Sequence, residues 1–173
     1  IDKLRAHKDK VVKTMSGGLS GMAKQRKVRV VAGTGKFASA NELDVETKEG
    51  TKRLRFAHCI IAAGSQAVKL PGLPWDDPRM MDSTDALLLQ DAPKELLVVG
   101  GGIIGLEMAT VFAALGSKVT VVEFMDQLMP GADADLVKPL AAMLKKRNVA
   151  VHLKTKVAKI EAKQDGLHAG FEG

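Results

Sequence analysis

The stretch Leu96-Leu97-Val98-Val99-Gly100-Gly101-Gly102-Ile103-Ile104-Gly105-Leu106-Glu107 constrains this chain more than any other. Four apolar residues run into three glycines, and an apolar helical repeat follows with Gly105 inside it. The pattern predicts a buried strand Leu96–Val99, a tight turn, and a helix Ile103–Leu115 stopped by Gly116. A G-x-G-x-x-G spacing alone says little. Here it leaves a strand, opens a helix, and sits in a unit that returns to a second strand, Lys118–Glu123, ending 18 residues after Gly105. In that setting each glycine has its own role. Gly100 makes the turn, Gly102 lets backbone approach a pyrophosphate, and Gly105 brings helix against strand. The helix amino end, from Ile103 and Ile104 onward, offers unpaired N–H groups and a positive dipole end to phosphate. The motif therefore points to dinucleotide binding, against the alternative of a glycine-rich turn with no further use.

Glu123 ends the second strand, where a carboxylate can accept both ribose hydroxyls of an adenosine. It would repel a 2′-phosphate, and Phe124–Met129 holds no arginine to reverse that preference, so NAD is expected rather than NADP. The plainer alternative is an exposed acid at a strand end. Glu107, in the first turns of the helix, has a sufficient account in the helix dipole, worth about 0.3–1 kcal/mol.

Around this unit the pattern is β-α-β-α-β: after Lys118–Glu123 come a helix Ala134–Arg147 and a strand Val149–Leu153, the signature of a parallel sheet with right-handed crossovers. Val157–Ile160 and Leu167–Phe171 read as an antiparallel excursion left unpaired at Gly173. The amino-terminal part differs. Ile1–Gln25 carries Leu4, Val11, Val12, Met15, Leu19 and Met22 at near-helical spacing, weakened by Gly17-Gly18. Strands are expected at Val28–Val31, Leu43–Thr47, Lys52–Phe56 and Cys59–Ala62, the last buried, with a turn at Glu49-Gly50. Gly64, Ser65, Pro71, Gly72, Pro74 and Pro78 mark a connector, and Asp82-Ser83 caps a short helix through Leu89. The boundary between the two parts falls between about 65 and 92.

Composition excludes several classes. One cysteine, Cys59, rules out a disulfide scaffold and a cysteine-based zinc cluster, suits a reducing cytoplasm, and is expected in the core. The histidines His7, His58, His152 and His168 show no metal-ligand spacing, and no Ser-His-Asp arrangement can be argued. No apolar run approaches the ~20 residues of a membrane span. The first ten residues are charged throughout, without a signal-peptide core, and the chain opens on Ile1 rather than Met, which suggests a piece of a longer protein. The net charge of +6 is uneven, with 14 Lys+Arg against 6 Asp+Glu in residues 1–60. Only Phe37 and Phe56 are aromatic there, and acids interleave the bases, so a solvated surface is expected rather than a nucleic-acid footprint.

Four stretches resemble the flavoprotein pyridine nucleotide-disulfide reductases, in their dihydrolipoamide dehydrogenase branch. They are Gly17-Gly18-Leu19-Ser20-Gly21-Met22, Gly33-Thr34-Gly35-Lys36-Phe37, Cys59-Ile60-Ile61-Ala62-Ala63-Gly64-Ser65 with Leu70-Pro71, and the glycine run through Glu107. Asp82–Leu87 and Lys154-Thr155-Lys156-Val157 match as well. The resemblance covers nearly all of this chain but only about a third of that family's length. It implies an α/β chain: the end of an FAD-binding domain (a helix plus an antiparallel β section, 1–70), a linker (71–92), and an incomplete Rossmann-like NAD-binding βαβαβ domain (93–173). Gly35 and Ala63-Gly64-Ser65, which stands where the family writes Thr-Gly-Ser, would lie at FAD. Gly100, Gly101, Gly102, Ile103, Ile104, Gly105 and Glu123 would hold NAD, with Val157 near its adenine. Glu107 would pair with a lysine beside the flavin, which this chain lacks.

The implied parent is an oxidoreductase that reoxidises dihydrolipoamide on a lipoyl carrier domain and reduces NAD+, as a homodimer within a 2-oxo acid dehydrogenase complex. The chain itself has no Cys-x-x-x-x-Cys pair, no earlier glycine fingerprint for FAD and no His-Glu acid–base pair, so it carries no catalytic residue. Two other readings compete: another two-dinucleotide flavoprotein of NADH oxidase or quinone reductase type, and a non-catalytic dinucleotide-binding module.

Overall fold

A computed structural model describes residues 1–173. The chain divides into two compact units, Asp2–Gln66 and Ala67–Gly173, the latter with Ile1. In the first unit the lysine-spaced apolar repeat forms helix α1, Asp2–Gln25. Asp2 in its first turn pairs with Arg5 at 3.3 Å, and Lys24 lies in its last turn, both favourable to the helix dipole. The helix closes where Lys27 adopts φ +56°. The Val28 N–H then reaches the Ala23 carbonyl, and the Lys27 N–H reaches that of Lys24, a Schellman end without its usual glycine. No residue of α1 is buried, so its apolar stripe is exposed.

Strands β1 (Thr34–Ser39), β2 (Glu42–Thr47) and β3 (Gly50–Arg55) form an antiparallel meander in that order. Register puts Phe37 opposite Leu43 and Leu43 opposite Leu54 on one face, and Asp44 opposite Arg53 on the other. Arg53 grips Asp44 bidentately at 2.7 and 2.8 Å, holding that carboxyl below its usual range. Exposed pairs of this kind add little stability, but opposite charges directly across a ladder favour this register over a slip. Val45 is buried under the chain crossing at Gly33, where any Cβ would collide with the Glu46 carbonyl.

Two expected strands do not form. Val28–Val31 leaves the αL turn at Lys27 and finds no strand alongside, so it stays unpaired with Val28 and Val30 exposed. Cys59–Ala62 is neither buried nor a strand, and Ile60 is 92% exposed. Cys59 is exposed too, contrary to its expected core position. An apolar run becomes a strand only where a neighbour accepts its backbone bonds, and the meander stops at β3. The segment Thr34–Ser39, in contrast, is a strand although its glycine and short polar residues give no strand pattern.

In the second unit, α2 (Ser83–Leu88) begins at Asp82 with a full capping box. The Asp82 carboxylate accepts the Thr84 and Asp85 N–H groups, while the Asp85 carboxylate accepts that of Asp82. The Asp85 N–H holds the Asp82 carboxyl below its usual range. The cap is therefore at full strength above the ordinary aspartate pKa and is lost as pH falls through the lowered one. Strands β4 (Glu95–Val99), β5 (Lys118–Val122) and β6 (Ala150–His152) are parallel in that order, joined by α3 (Ile103–Ala114) and α4 (Ala134–Lys146), as the alternation implied.

The core lies between this sheet and its helices: Leu106, Ala109 and Phe112 of α3 and Leu144 of α4 with Val119 and Val121 of β5. As the edge strand, β4 is half-buried rather than buried. Gly116 (φ +99°) and Asn148 (φ +57°) close α3 and α4 with the same pair of bonds that Lys27 makes. Strands β7 (Lys156–Ala162) and β8 (Leu167–Glu172) pair with each other, so the excursion expected to be unpaired is a complete hairpin. No helix is long and apolar enough to cross a membrane.

Phe112 is 1% exposed and Met15 is 67% exposed. Phe112→Ala is expected to cost about 3–5 kcal/mol in denaturant unfolding of its unit. Met15→Ala should move the unfolding of its own unit by no more than about 0.5 kcal/mol.

Candidate functional site

Strand β4 ends at Val99, and Gly100 turns the chain at φ +107°, a conformation open to glycine and costly to any residue with a Cβ. The Gly100 N–H extends the ladder by donating to the Val122 carbonyl at 2.8 Å. Gly102 caps α3 with extended backbone and no side-chain bond. A Cβ there would meet nothing within 4 Å, so the space before the helix amino end is open. Gly105 is the opposite case, since a Cβ would collide with the Gly100 carbonyl and lie 3.2 Å from Val98 Cγ1. That closeness holds the first turn of α3 against the strand, aiming its partnerless N–H groups at the open space.

Glu123 follows β5 directly and is buried, at 7% exposure. Its Oε2 accepts the Gly101 N–H at 2.6 Å, and its Oε1 accepts the Met125 N–H at 2.7 Å. Its own N–H donates to the His152 carbonyl, and its carbonyl accepts the Thr155 N–H, at 2.8 and 2.9 Å. Two bonds thus fix the carboxylate beside the glycine run, and two more hold the Glu123 backbone. Each carboxylate oxygen has further acceptor capacity for a hydroxyl. Val157, half-buried on β7, stands two residues beyond Thr155. Ile103 and Ile104 are exposed at the helix start, and Glu107 is exposed on α3 without an ion pair.

The structure thus brings Gly100–Gly105 and Glu123 together and leaves Val157 close along the chain. Gly35 and Ala63-Gly64-Ser65 belong to the other unit. Gly35 lies within β1, its open side against Leu43, while Ala63–Ser65 is exposed chain outside any ladder. No hydrogen bond joins these two groups. An open depression lined by Ser39, Asn41, Glu42, Arg55, Phe56 and Ala57 contains none of the candidate residues. No group of His, Cys, Asp or Glu is arranged to hold a metal ion.

Sequence reasoning missed three participants: Met125, Leu128 and Met129. The Met129 N–H donates to the Gly101 carbonyl at 2.8 Å, and Leu128, 2% exposed, packs over Gly101. The only signal available was the pair of apolar dipeptides, Phe124-Met125 and Leu128-Met129, in the connection before Pro130.

Comparison with known proteins accords with this geometry. The pyridine nucleotide-disulphide oxidoreductase family matches residues 2–172. Dihydrolipoyl dehydrogenase of Vibrio cholerae serotype O1 is 52% identical over all 173 residues, which span 36% of that protein. The mitochondrial dihydrolipoyl dehydrogenase 1 of Arabidopsis thaliana is 42% identical over 99% of the chain and 34% of its own length. Among solved structures, the HOCl-induced flavoprotein disulfide reductase RclA from Escherichia coli superposes with a TM-score of 0.83 at 28% identity, over 97% of this chain and 38% of that one. The chain spans little more than a third of the length of the curated relatives it matches. It belongs to the pyridine nucleotide-disulphide oxidoreductase family.

The two inner glycines should respond differently to a methyl group. Gly105→Ala is expected to lower unfolding stability by about 1–3 kcal/mol, because backbone has to shift. Gly102→Ala should cost less than about 1 kcal/mol, since nothing stands in its way. Denaturant titration of both variants checks the order.

Proposed function

We propose that this member of the pyridine nucleotide-disulphide oxidoreductase family supplies the NAD site, and part of the FAD site, of an oxidoreductase that reoxidises dihydrolipoamide with NAD+. The observation that carries the reading is the Glu123 carboxylate held 2.6 Å from the Gly101 N–H, beside a helix amino end with open space before it. A dinucleotide needs both features at once: N–H groups and dipole for its pyrophosphate, and an acceptor for its adenosine ribose. The likeness to dihydrolipoyl dehydrogenases at 42–52% identity supports the parent reaction and, with it, the lipoyl carrier, the 2-oxo acid dehydrogenase complex and the homodimer. In this reading residues 1–70 close the flavin domain, 71–92 link, and 93–173 form the incomplete nicotinamide nucleotide domain.

The residues fit NAD. The first-turn N–H groups of α3, from Ile103 to Gly105, hold the pyrophosphate, and Gly102 admits it closely. The second acceptor positions of Glu123 take the ribose hydroxyls, while its charge opposes a 2′-phosphate. Val157 packs at the adenine. Bound NAD+ supplies the hydride-accepting ring; the protein supplies placement and electrostatics. Gly35 and Ala63-Gly64-Ser65 would supply backbone to part of the FAD site. Glu107, exposed on α3, is left for a cation outside it. With Cys59 as its one cysteine, the chain contains no dithiol to pass electrons onward.

Two outcomes test the reading. Calorimetric titration should show NAD bound more tightly than NADP near physiological ionic strength. Glu123→Ala should then weaken NAD by about 10- to 100-fold, the worth of charge-assisted bonds at ~1.5–3 kcal/mol, while NADP changes less. Equal NAD affinity in the two proteins would mean that Glu123 does not meet the ribose. The second outcome is the absence of NADH-dependent lipoamide reduction by the 173-residue chain, measured against buffer; turnover above background would show disulfide-reducing groups that this reading omits.

A further inference from the structure

Gly101 is not among the three glycines of the dinucleotide spacing, yet both of its backbone groups are engaged. Its N–H goes to Glu123 Oε2 and its carbonyl to the Met129 N–H. A Cβ on Gly101 would stand 2.6 Å from Leu128 Cδ2, 3.1 Å from Glu123 Cβ and 3.3 Å from Glu123 Cγ. Leu128 and the stem of Glu123 therefore both border the place where a Gly101 side chain would stand. Leu128 is 2% exposed, so it has no surface to offer a ligand.

We propose that Leu128 is a positioning residue for nucleotide selection: by filling the space over Gly101 it fixes where the Glu123 carboxylate stands. The proposal rests on the reading of this site as an NAD site and adds what sets its preference. The carboxylate discriminates only while it stands where a ribose 2′ substituent arrives, accepting from a hydroxyl and repelling a phosphate. Its two bonds to backbone N–H groups hold its oxygens, but both donors sit on loops. The Phe124–Gly131 connection is tied back to the glycine run by the Met129 bond and by the Leu128 side chain. Shortening Leu128 frees that connection and opens the place that the Glu123 stem also borders. A residue that served stability alone would weaken both nucleotides together. A positioning residue changes their ratio.

The test compares Leu128→Ala, Leu128→Met, Gly101→Ala and the Gly101→Ala/Leu128→Ala double variant in the full chain. NAD and NADP are titrated separately, and exchange of the Gly101 amide hydrogen is followed without nucleotide. Leu128→Ala is expected to lower the NAD-to-NADP affinity ratio about tenfold, roughly one coupled hydrogen bond, and to speed Gly101 exchange relative to the core amides. Leu128→Met, which keeps the volume, should restore the ratio. Gly101→Ala should lower it, and the double variant should regain part of the loss because the shortened side chain makes room for the methyl. A ratio unchanged in Leu128→Ala and Gly101→Ala, with NAD still bound, overturns the positioning role and leaves the NAD site standing. A wild-type chain that binds neither nucleotide overturns the site reading, and this proposal with it. Should Leu128→Ala fail to fold, the Met and Gly101 variants decide.

Discussion

The buried carboxylate of Glu123 is the contact on which the second unit depends. It joins the end of β5 to the glycine run after β4 through the Gly101 N–H, and to its own following loop through the Met125 N–H. The adjoining backbone carries the same tie to the segment after β6, through His152 and Thr155. One residue thus gathers the carboxyl ends of three parallel strands. This is the edge at which open α/β sheets bind their ligands. Burying a charge is costly unless hydrogen bonds replace water. Here two short backbone bonds do so, leaving an anion that needs little rearrangement to meet a polar ligand.

Around that contact, two glycines act in opposite senses. Gly105 is demanded by protein, because the Gly100 carbonyl occupies the place of its side chain, whereas Gly102 faces only open space. Packing does not demand the second, which serves α3 as its N-cap. Under the proposed function, that open space is the one left for the pyrophosphate.

The parallel unit was legible in the sequence nearly to the residue, because its local signals agree with its tertiary contacts. Asp82 and Gly102 start helices, Gly116 stops one, and the apolar runs of β4 and β5 lie side by side. The failures share a cause. Val28–Val31 and Cys59–Ala62 have strand composition, but a ladder is a relation between two segments, and neither has a partner. Lys27 closes α1 in the left-handed conformation that glycine would take more cheaply, yet the apolar spacing already ended that helix at Gln25. In the candidate site, Gly100–Gly105 and Glu123 were readable from spacing. Leu128 and Met129 were not, because their part comes from a loop folding back on Gly101, which no periodicity encodes.

In these 173 residues taken alone the sheet order ends on β4, which bears on how this stretch of chain behaves among copies of itself. Leu96-Leu97-Val98-Val99 is uncharged, has high strand propensity and no proline, and the sheet order ends on it. Such an edge is a template for edge-to-edge association. The guards at hand are Lys94 and Glu95 at its start, with Glu95 paired to Lys118 at 2.9 Å. Those flanking charges are the gatekeepers of this strand. Their neutralisation would be felt first in solubility and refolding yield, before any change in the folded structure.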